Sequence, residues 1–133
     1  MTQEHKDILI KDICSRLPYG VKVEYENKVF DLEHICPMYE EVKLNIPETW
    51  TIDVSEVKPY LFPLSSMTDE DYAIYSKIWE DAGKMAYLEG CHHLISTIKA
   101  YKVANYYLLS KHYDIYGLIP MDLAIHATNK NIY

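Results

Sequence analysis

The stretch VKVEYENKVFDLEHIC, residues 21–36, decides the fold, because apolar and polar side chains alternate along it. Alternation with a period of two is typical of a β-strand that has one face in the core and one in water. The turn-forming pair Asn27-Lys28 divides the stretch, which therefore predicts a β-hairpin. The residues expected to face the core are Val21, Val23, Tyr25, Phe30, Leu32, His34 and Cys36.

Two more alternating runs follow the hairpin, at residues 42–46 after Pro37 and at residues 50–54 after Pro47. Residues 21–57 thus predict a four-stranded antiparallel sheet. Four short strands cannot bury both faces alone, so this sheet must either curl, as in an SH3-like half-barrel, or pack on helices. The apolar residues of these runs are Val42, Leu44, Ile46, Trp50, Ile52 and Val54.

A helix and a connector adjoin the predicted sheet. The helix lies within residues 1–20; it begins after the N-cap Thr2 and ends at Pro18, which has no amide hydrogen to continue it. Residues 58–67 form an apolar connector that contains two prolines. Its apolar character indicates that the connector docks across the core.

Residues 68–127 are predicted to be helical. One helix begins after the N-cap Thr68, a second covers about 92–111, and a short last helix starts at Ile119-Pro120. The apolar stripe of the second helix contains Leu94, Ile98, Tyr101, Asn105 and Leu108. The predicted fold class is α+β, with an N-terminal helix, a four-stranded antiparallel sheet and C-terminal helices packed on it, in a single domain over residues 1–133.

Composition and charge exclude several classes of function. The 133-residue chain has a net charge of −7, and residues 22–56 carry nine acids against three lysines. Nucleic-acid binding needs clustered Lys and Arg, and no such cluster exists. No apolar run approaches the ~20 residues that span a bilayer. Three scattered cysteines form no disulfide framework, so the sequence predicts a cytoplasmic protein that binds no membrane and no nucleic acid.

The best metal or catalytic constellation is Cys91-His92-His93 together with His112 and Asp114. Imidazole and thiolate are good zinc ligands, but adjacent histidines on a helix point about 100° apart. The His-x-x-x-His and Cys-x-x-Cys spacings are also missing. We therefore predict no metal, no cofactor and no catalytic residue.

Two sets of side chains are predicted to bind a protein partner, because tyrosine suits contact surfaces and an acidic face suits a basic partner. The tyrosines can instead pack inside the fold, and acidic rows on a strand could also mimic DNA. The predicted contacts are Tyr106, Tyr107, Tyr113, Tyr116, Glu24, Glu26, Asp31 and Glu33.

A second hypothesis is a small enzyme or a protein that binds a small, nucleotide-like ligand in a pocket under the connector. The residues expected to line this pocket are Tyr60, Ser65, Ser66, His112 and Asp114.

Three segments, ICSRLPYGVK at 13–22, VKPYLFPLSSMT at 57–68 and HYDIYGLI at 112–119, resemble an uncharacterised family of small proteins encoded by phages and prophages of gut bacteria. Family members often carry an arginine where this chain has Tyr116. The resemblance implies an accessory protein of a mobile element that acts in the cytoplasm of the host cell. Its implied partner is a host or viral protein, and its implied action is the blocking of a host factor, such as a defence protein.

Overall fold

The computed structural model describes residues 1–46, 51–90, 92–128 and 130–133, and it confirms the α+β class. No helix in these ranges combines the length and the apolar character needed to cross a bilayer. The elements are α1 Gln3–Arg16, β1 Lys22–Tyr25, β2 Lys28–Cys36, β3 Glu41–Leu44, β4 Ile52–Asp53, β5 Lys58–Leu61, α2 Asp69–Leu88, α3 His93–Ser110 and β6 Ile125–His126.

The sheet is mixed and has six strands in the described residues, in the order β4-β3-β2-β1-β5-β6. The prediction of a four-stranded antiparallel sheet is therefore wrong. The predicted connector supplies β5, which pairs antiparallel with β1. β6 then adds to β5 in parallel, with Tyr60 opposite Ile125. Two prolines and the absence of alternation hid β5, in which Pro59, Tyr60 and Leu61 are all buried.

The β1–β2 hairpin forms as predicted, but two details differ. The turn lies at Glu26-Asn27, whose φ angles of 49° and 62° match a turn with two left-handed residues. A bulge between Leu32 and His34 then shifts the register of β2. Because a shift of one residue exchanges the two faces of a strand, His34 is exposed and Ile35 packs against the core.

β3 and β4 correspond to the third and fourth predicted strands. Val42, Leu44 and Ile52 are buried, and Val54 lies in the core within a short 3₁₀ helix after β4. Trp50 of the fourth predicted strand lies outside the described residues.

Helix α1 packs on the sheet and buries an ion pair. The N-cap Thr2 accepts a hydrogen bond from the His5 amide, as predicted. Leu9 and Ile13 lie in the core. Asp12 and Arg16, which are one turn apart on the same helix, are also fully buried. The Arg16 guanidinium donates two hydrogen bonds to the Asp12 carboxylate, at 2.6 and 2.7 Å. The pair therefore neutralises two charges inside the core.

The predicted last helix does not form, so the helical part consists of α2 and α3 among the described residues. After α3 the chain turns instead, with Gly117 and Asp122 in the left-handed region. The Asp114 carboxylate accepts hydrogen bonds from the amides of Leu118 and Ile119 and fixes the first of these turns. Leu123 still reaches the core, but from a turn that leads into β6.

Candidate functional site

Helices α2 and α3 form an antiparallel hairpin that this chain covers poorly. Both helices start as the sequence predicts, and Thr68 caps α2 by accepting a hydrogen bond from the Asp71 amide. Yet of the 20 residues of α2, only Ala86 is buried. A helix in water gains most of its stability from packing one face against a neighbour. One molecule alone therefore leaves α2 largely without that support.

The strongest apolar stripe of α3 faces water. Leu94, Ile98 and Tyr101 are 62%, 55% and 52% exposed. The side of α3 that packs on α2 carries small residues instead, namely Ser96, Ala100 and Ala104. A Cβ placed on Gly83 of α2 would lie 3.7 Å from the Cβ of Ala100, so the two helices approach closely there. α3 is thus apolar on two sides, which is typical of a helix buried on both.

Aromatic side chains line a groove between the two helices, which we call the aromatic groove. It consists of two adjoining depressions of about 360 and 320 Å³ that share Trp79 and Glu80. Trp79 and Tyr101 meet edge to face across it, with ring centroids 5.9 Å apart. The aromatic lining residues are Tyr72, Tyr75, Trp79, Tyr87 and Tyr101.

A separate cavity of about 540 Å³ lies beside the C-terminal end of α3. The rings of His112 and Tyr133 stack in its wall, with centroids 3.5 Å apart, and Phe62 tilts against Tyr133. The Tyr133 hydroxyl donates a hydrogen bond to the Tyr60 carbonyl and accepts one from the Lys22 amide. Burial of this hydroxyl raises the pKa of Tyr133 to about 12.

The floor of this cavity is tied together by Asp71 of α2. Its carboxylate accepts hydrogen bonds from the Tyr107 and Tyr113 hydroxyls, both at 2.7 Å. These bonds favour the ionised form and lower the pKa of Asp71. Burial, and then the bond to Asp71, raise the pKa of Tyr107 to about 12. The Asp71 carboxylate therefore links the start of α2 to Tyr107 near the end of α3 and to Tyr113 in the segment after α3.

Two polar atoms at the cavity have no hydrogen-bond partner among the described residues, the Nδ1 atom of His112 and the hydroxyl of Thr128. His112 also adopts a left-handed backbone conformation, with φ 66°. Burial lowers the pKa of His112 from 6.5 to about 4, and the charges of Arg16 and Lys111 act in the same direction. The imidazole is therefore neutral at pH 7 in the folded protein.

This pKa predicts a loss of stability in mild acid. Between pH 6.5 and 4 the unfolded chain takes up a proton on His112 that the folded protein does not, so the free energy of unfolding falls as the pH falls. We expect a loss of roughly 1–2 kcal/mol between pH 7 and 5. Urea denaturation of the wild type and of His112→Asn measures it, since asparagine tolerates the left-handed backbone. An equal loss in both proteins would contradict the assignment to His112.

The four predicted tyrosines do not share one surface. Tyr106 is exposed, Tyr107 donates its hydroxyl to Asp71, and Tyr113 is only 4% exposed. Tyr116 packs against the core beneath the Lys11 ammonium, which lies 5.2 Å from the ring centroid. Periodicity did reveal the stripe on α3, but it could not show that the chain leaves this stripe uncovered.

The predicted acidic contacts lie on β1, on β2 and in the turn between them. Glu24 is half-buried and accepts a hydrogen bond from the Tyr60 hydroxyl at 3.2 Å. Asp31 is exposed and pairs with Lys22 at 2.6 Å. Glu26 occupies the turn, and Glu33 lies at the bulge of β2, both in water.

The predicted ligand residues divide between the cavity and the core. Ser66 and His112 line the cavity, and the exposed Ser65 precedes Ser66 without lining it. Tyr60 is buried in β5, and Asp114 is buried where it holds the turn after α3.

The described members of the histidine constellation do not assemble into a metal site. In the described ranges no three His, Cys, Asp or Glu side chains lie close enough to hold an ion. His92 caps α3, because its Nδ1 atom accepts a hydrogen bond from the Leu94 amide. Cys91 lies outside the described residues.

Comparison of the chain with protein-family models, with curated proteins and with solved structures found no match.

Proposed function

We propose that this protein acts by protein–protein interaction rather than by catalysis, and that the α2–α3 hairpin is the interacting element. One observation carries the proposal. The stripe of Leu94, Ile98 and Tyr101, together with the aromatic groove beside it, lies in water. Monomeric proteins rarely expose continuous apolar patches of this kind, and such patches mark sites of association.

Burial of this surface by another protein would contribute a free energy of apolar burial that the single chain does not gain. Each Å² of apolar surface removed from water contributes about 25 cal/mol. Aromatic side chains add well-packed contact area at low entropic cost, so Trp79 and Tyr101 are the expected centres of the binding energy. The small residues Ser96, Ala100 and Ala104 hold α3 against α2, so the outer faces of the two helices stay free for contact.

The origin and target of the protein are part of the same proposal. The three segments that resemble phage and prophage proteins support an accessory protein of a mobile element. Its partner would be a host or viral protein in the cytoplasm, and its action would be the blocking of a host factor such as a defence protein. Coverage of that factor's surface needs no catalytic residue.

A photo-crosslinking amino acid placed at position 98 tests the hairpin, and the same amino acid at position 38 is the matched control. Ile98 and Met38 are both exposed, but Met38 lies in the short helix after β2. We expect cross-linked protein adducts in cells from position 98 and none from position 38. Equal adducts from both positions, or none from position 98, would overturn the proposal.

A second candidate function is the binding of a small, nucleotide-like ligand in the cavity beside His112. The favouring observation is the volume of about 540 Å³, together with the unpartnered Nδ1 atom of His112 and the unpartnered Thr128 hydroxyl. Its aromatic rings could stack on a base, and Lys111 lies at the rim for a phosphate. NMR titration with ribonucleoside 5′-monophosphates tests it, and shifts confined to residues far from His112 would exclude it.

A further inference from the structure

We infer that Tyr133 occupies the ring-binding part of the cavity beside His112, and that a ligand with a planar heteroaromatic ring displaces Tyr133 from it. This inference rests on the second candidate function, because it says where the ring of a nucleotide-like ligand lies. The rings of Tyr133 and His112 are nearly parallel, with an angle of 11° between their planes and 3.5 Å between their centroids. A nucleobase stacked on a histidine ring would lie in the same way.

The walls of the slot that holds the Tyr133 ring are fixed by contacts of their own. His112 forms one wall, and Phe62, whose ring centroid lies 6.0 Å from that of Tyr133, forms another. The His112 carbonyl accepts a hydrogen bond from the Phe62 amide at 2.8 Å. The backbone therefore holds the two walls together independently of Tyr133.

The hydroxyl of Tyr133 lies between two backbone groups of the sheet. It accepts a hydrogen bond from the Lys22 amide at 3.2 Å and donates one to the Tyr60 carbonyl at 2.9 Å. β1 and β5 pair antiparallel with Val23 opposite Pro59, so the next step of the same register places Lys22 opposite Tyr60. The hydroxyl thus bridges a donor and an acceptor that are in register to pair with each other.

Two features make the Tyr133 side chain displaceable. When its hydroxyl leaves, the Lys22 amide and the Tyr60 carbonyl can pair with each other or with a ligand, so neither group loses its hydrogen bond. Within the described ranges, residues 131–133 make no hydrogen bond other than the two of this hydroxyl. Tyr133 is also 44% exposed, so its ring can leave the slot without opening the core.

The donor and the acceptor at the end of the slot define the class of ligand. A ring that replaces Tyr133 must offer an acceptor to the Lys22 amide and a donor to the Tyr60 carbonyl. Adenine has this arrangement, because an accepting ring nitrogen lies beside its donating amino group. In the described part of the chain the Nδ1 atom of His112 and the Thr128 hydroxyl have no partner, so both are available to the sugar.

Removal of the Tyr133 side chain tests the displacement. We expect adenosine 5′-monophosphate to bind Tyr133→Ala at least about tenfold more tightly than the wild type, because the nucleotide no longer competes with a tethered ring. NMR titration that follows the His112 ring protons measures both affinities. Tyr39→Ala removes an exposed tyrosine in the short helix after β2, and this matched control should bind like the wild type.

A matched pair of nucleotides tests the edge of the ring. N6,N6-dimethyladenosine 5′-monophosphate keeps the ring of adenine but has no hydrogen to donate to the Tyr60 carbonyl. We expect it to bind Tyr133→Ala roughly tenfold more weakly than adenosine 5′-monophosphate does, since a buried acceptor left unpaired weakens binding. Equal affinities of the two nucleotides would overturn the assignment of the Tyr60 carbonyl as the acceptor.

Two further measurements keep the test independent of the nucleotide and of one variant. p-Cresol has the ring and the hydroxyl of a tyrosine side chain, so it should bind Tyr133→Ala and shift the His112 ring protons, whereas toluene, which has no hydroxyl, should bind roughly tenfold more weakly. If Tyr133→Ala does not fold, Tyr133→Phe replaces it. This variant fills the slot but lacks both hydrogen bonds, so adenosine 5′-monophosphate should bind it several-fold more tightly than the wild type.

The outcomes separate this inference from the second candidate function. If adenosine 5′-monophosphate binds the wild type and the Tyr133 variants equally, the second candidate function stands and Tyr133 is not the occupant of the site. If p-cresol binds Tyr133→Ala but the nucleotide binds no form of the protein, the slot for a ring stands and the nucleotide-like ligand falls. If neither compound binds Tyr133→Ala, both fall.

Discussion

Replacement of Asp12 by alanine is expected to lower the free energy of unfolding by about 3–5 kcal/mol. Asp12 and Arg16 are both fully buried, and their two hydrogen bonds are 2.6 and 2.7 Å long. Loss of the carboxylate leaves a guanidinium inside the core without its counter-charge. Within the part of the chain that the structure describes, the Nη1 atom of Arg16 has no hydrogen-bond partner even in the intact protein.

Urea denaturation of Asp12→Ala measures this loss, and Asp7→Ala on the same helix is the matched control. Asp7 is exposed, so its removal should change the free energy of unfolding by less than about 0.5 kcal/mol. The double variant Asp12→Leu with Arg16→Met should recover most of the loss, because it removes both buried charges. A loss below about 1 kcal/mol for Asp12→Ala would show that the pair does not neutralise a buried charge.

Replacement of Asp71 by alanine should lower the free energy of unfolding by about 2–4 kcal/mol. It removes two hydrogen bonds from tyrosine hydroxyls to a carboxylate, and bonds to a charged group contribute about 1.5–3 kcal/mol each. Tyr113 is buried, so its hydroxyl would lose a partner that water cannot easily replace. Asp69→Ala, in the same first turn but exposed, is the control and should cost about 1 kcal/mol or less.

The contribution of Asp71 to the free energy of unfolding also depends on pH, and it decreases as the pH falls. Its pKa is lower in the folded protein than in the unfolded chain, so the folded state binds the proton less readily. The stabilisation is therefore complete above the ordinary pKa of 3.8 and is lost as the pH falls through the lower folded value. A difference between wild type and Asp71→Ala that stays constant down to strongly acidic pH would contradict this linkage.

Local pattern predicted the elements that depend on neighbours in sequence. Alternation located the β1–β2 hairpin, and the caps Thr2 and Thr68 located the starts of α1 and α2. The bulge after Leu32 was beyond reach, because it is fixed by pairing with β3 rather than by the residues of β2 alone.

Long-range pairing explains most of what the sequence concealed. β5 is buried on both faces, so it shows no alternation, and Pro59 argues against a central strand. β6 has only two residues and exists because β5 offers an edge for parallel pairing. Neither strand has a sequence pattern of its own from which it could have been predicted.

The candidate site, too, depends on contacts that local sequence patterns do not predict. Periodicity places Leu94, Ile98 and Tyr101 on one side of α3, but it does not say which molecule covers that side. The small residues Ala100 and Ala104, which lie outside the predicted stripe, are buried in α3 instead. The sequence pattern favoured burial of Leu94, Ile98 and Tyr101 within the chain. The close approach of the two helices at Gly83 instead requires small residues where α3 meets α2.

Hydroxyl-radical footprinting of two tyrosines tests the central claim most directly. Tyr87 of the aromatic groove and Tyr39 after β2 are 69% and 68% exposed in the single chain, so they should react alike when the protein is dilute. In cells that express the protein, association through the hairpin should slow the modification of Tyr87 several-fold relative to the dilute purified protein and leave Tyr39 unchanged. If Tyr87 and Tyr39 keep the same relative rate in cells as in the dilute purified protein, association through this face is contradicted.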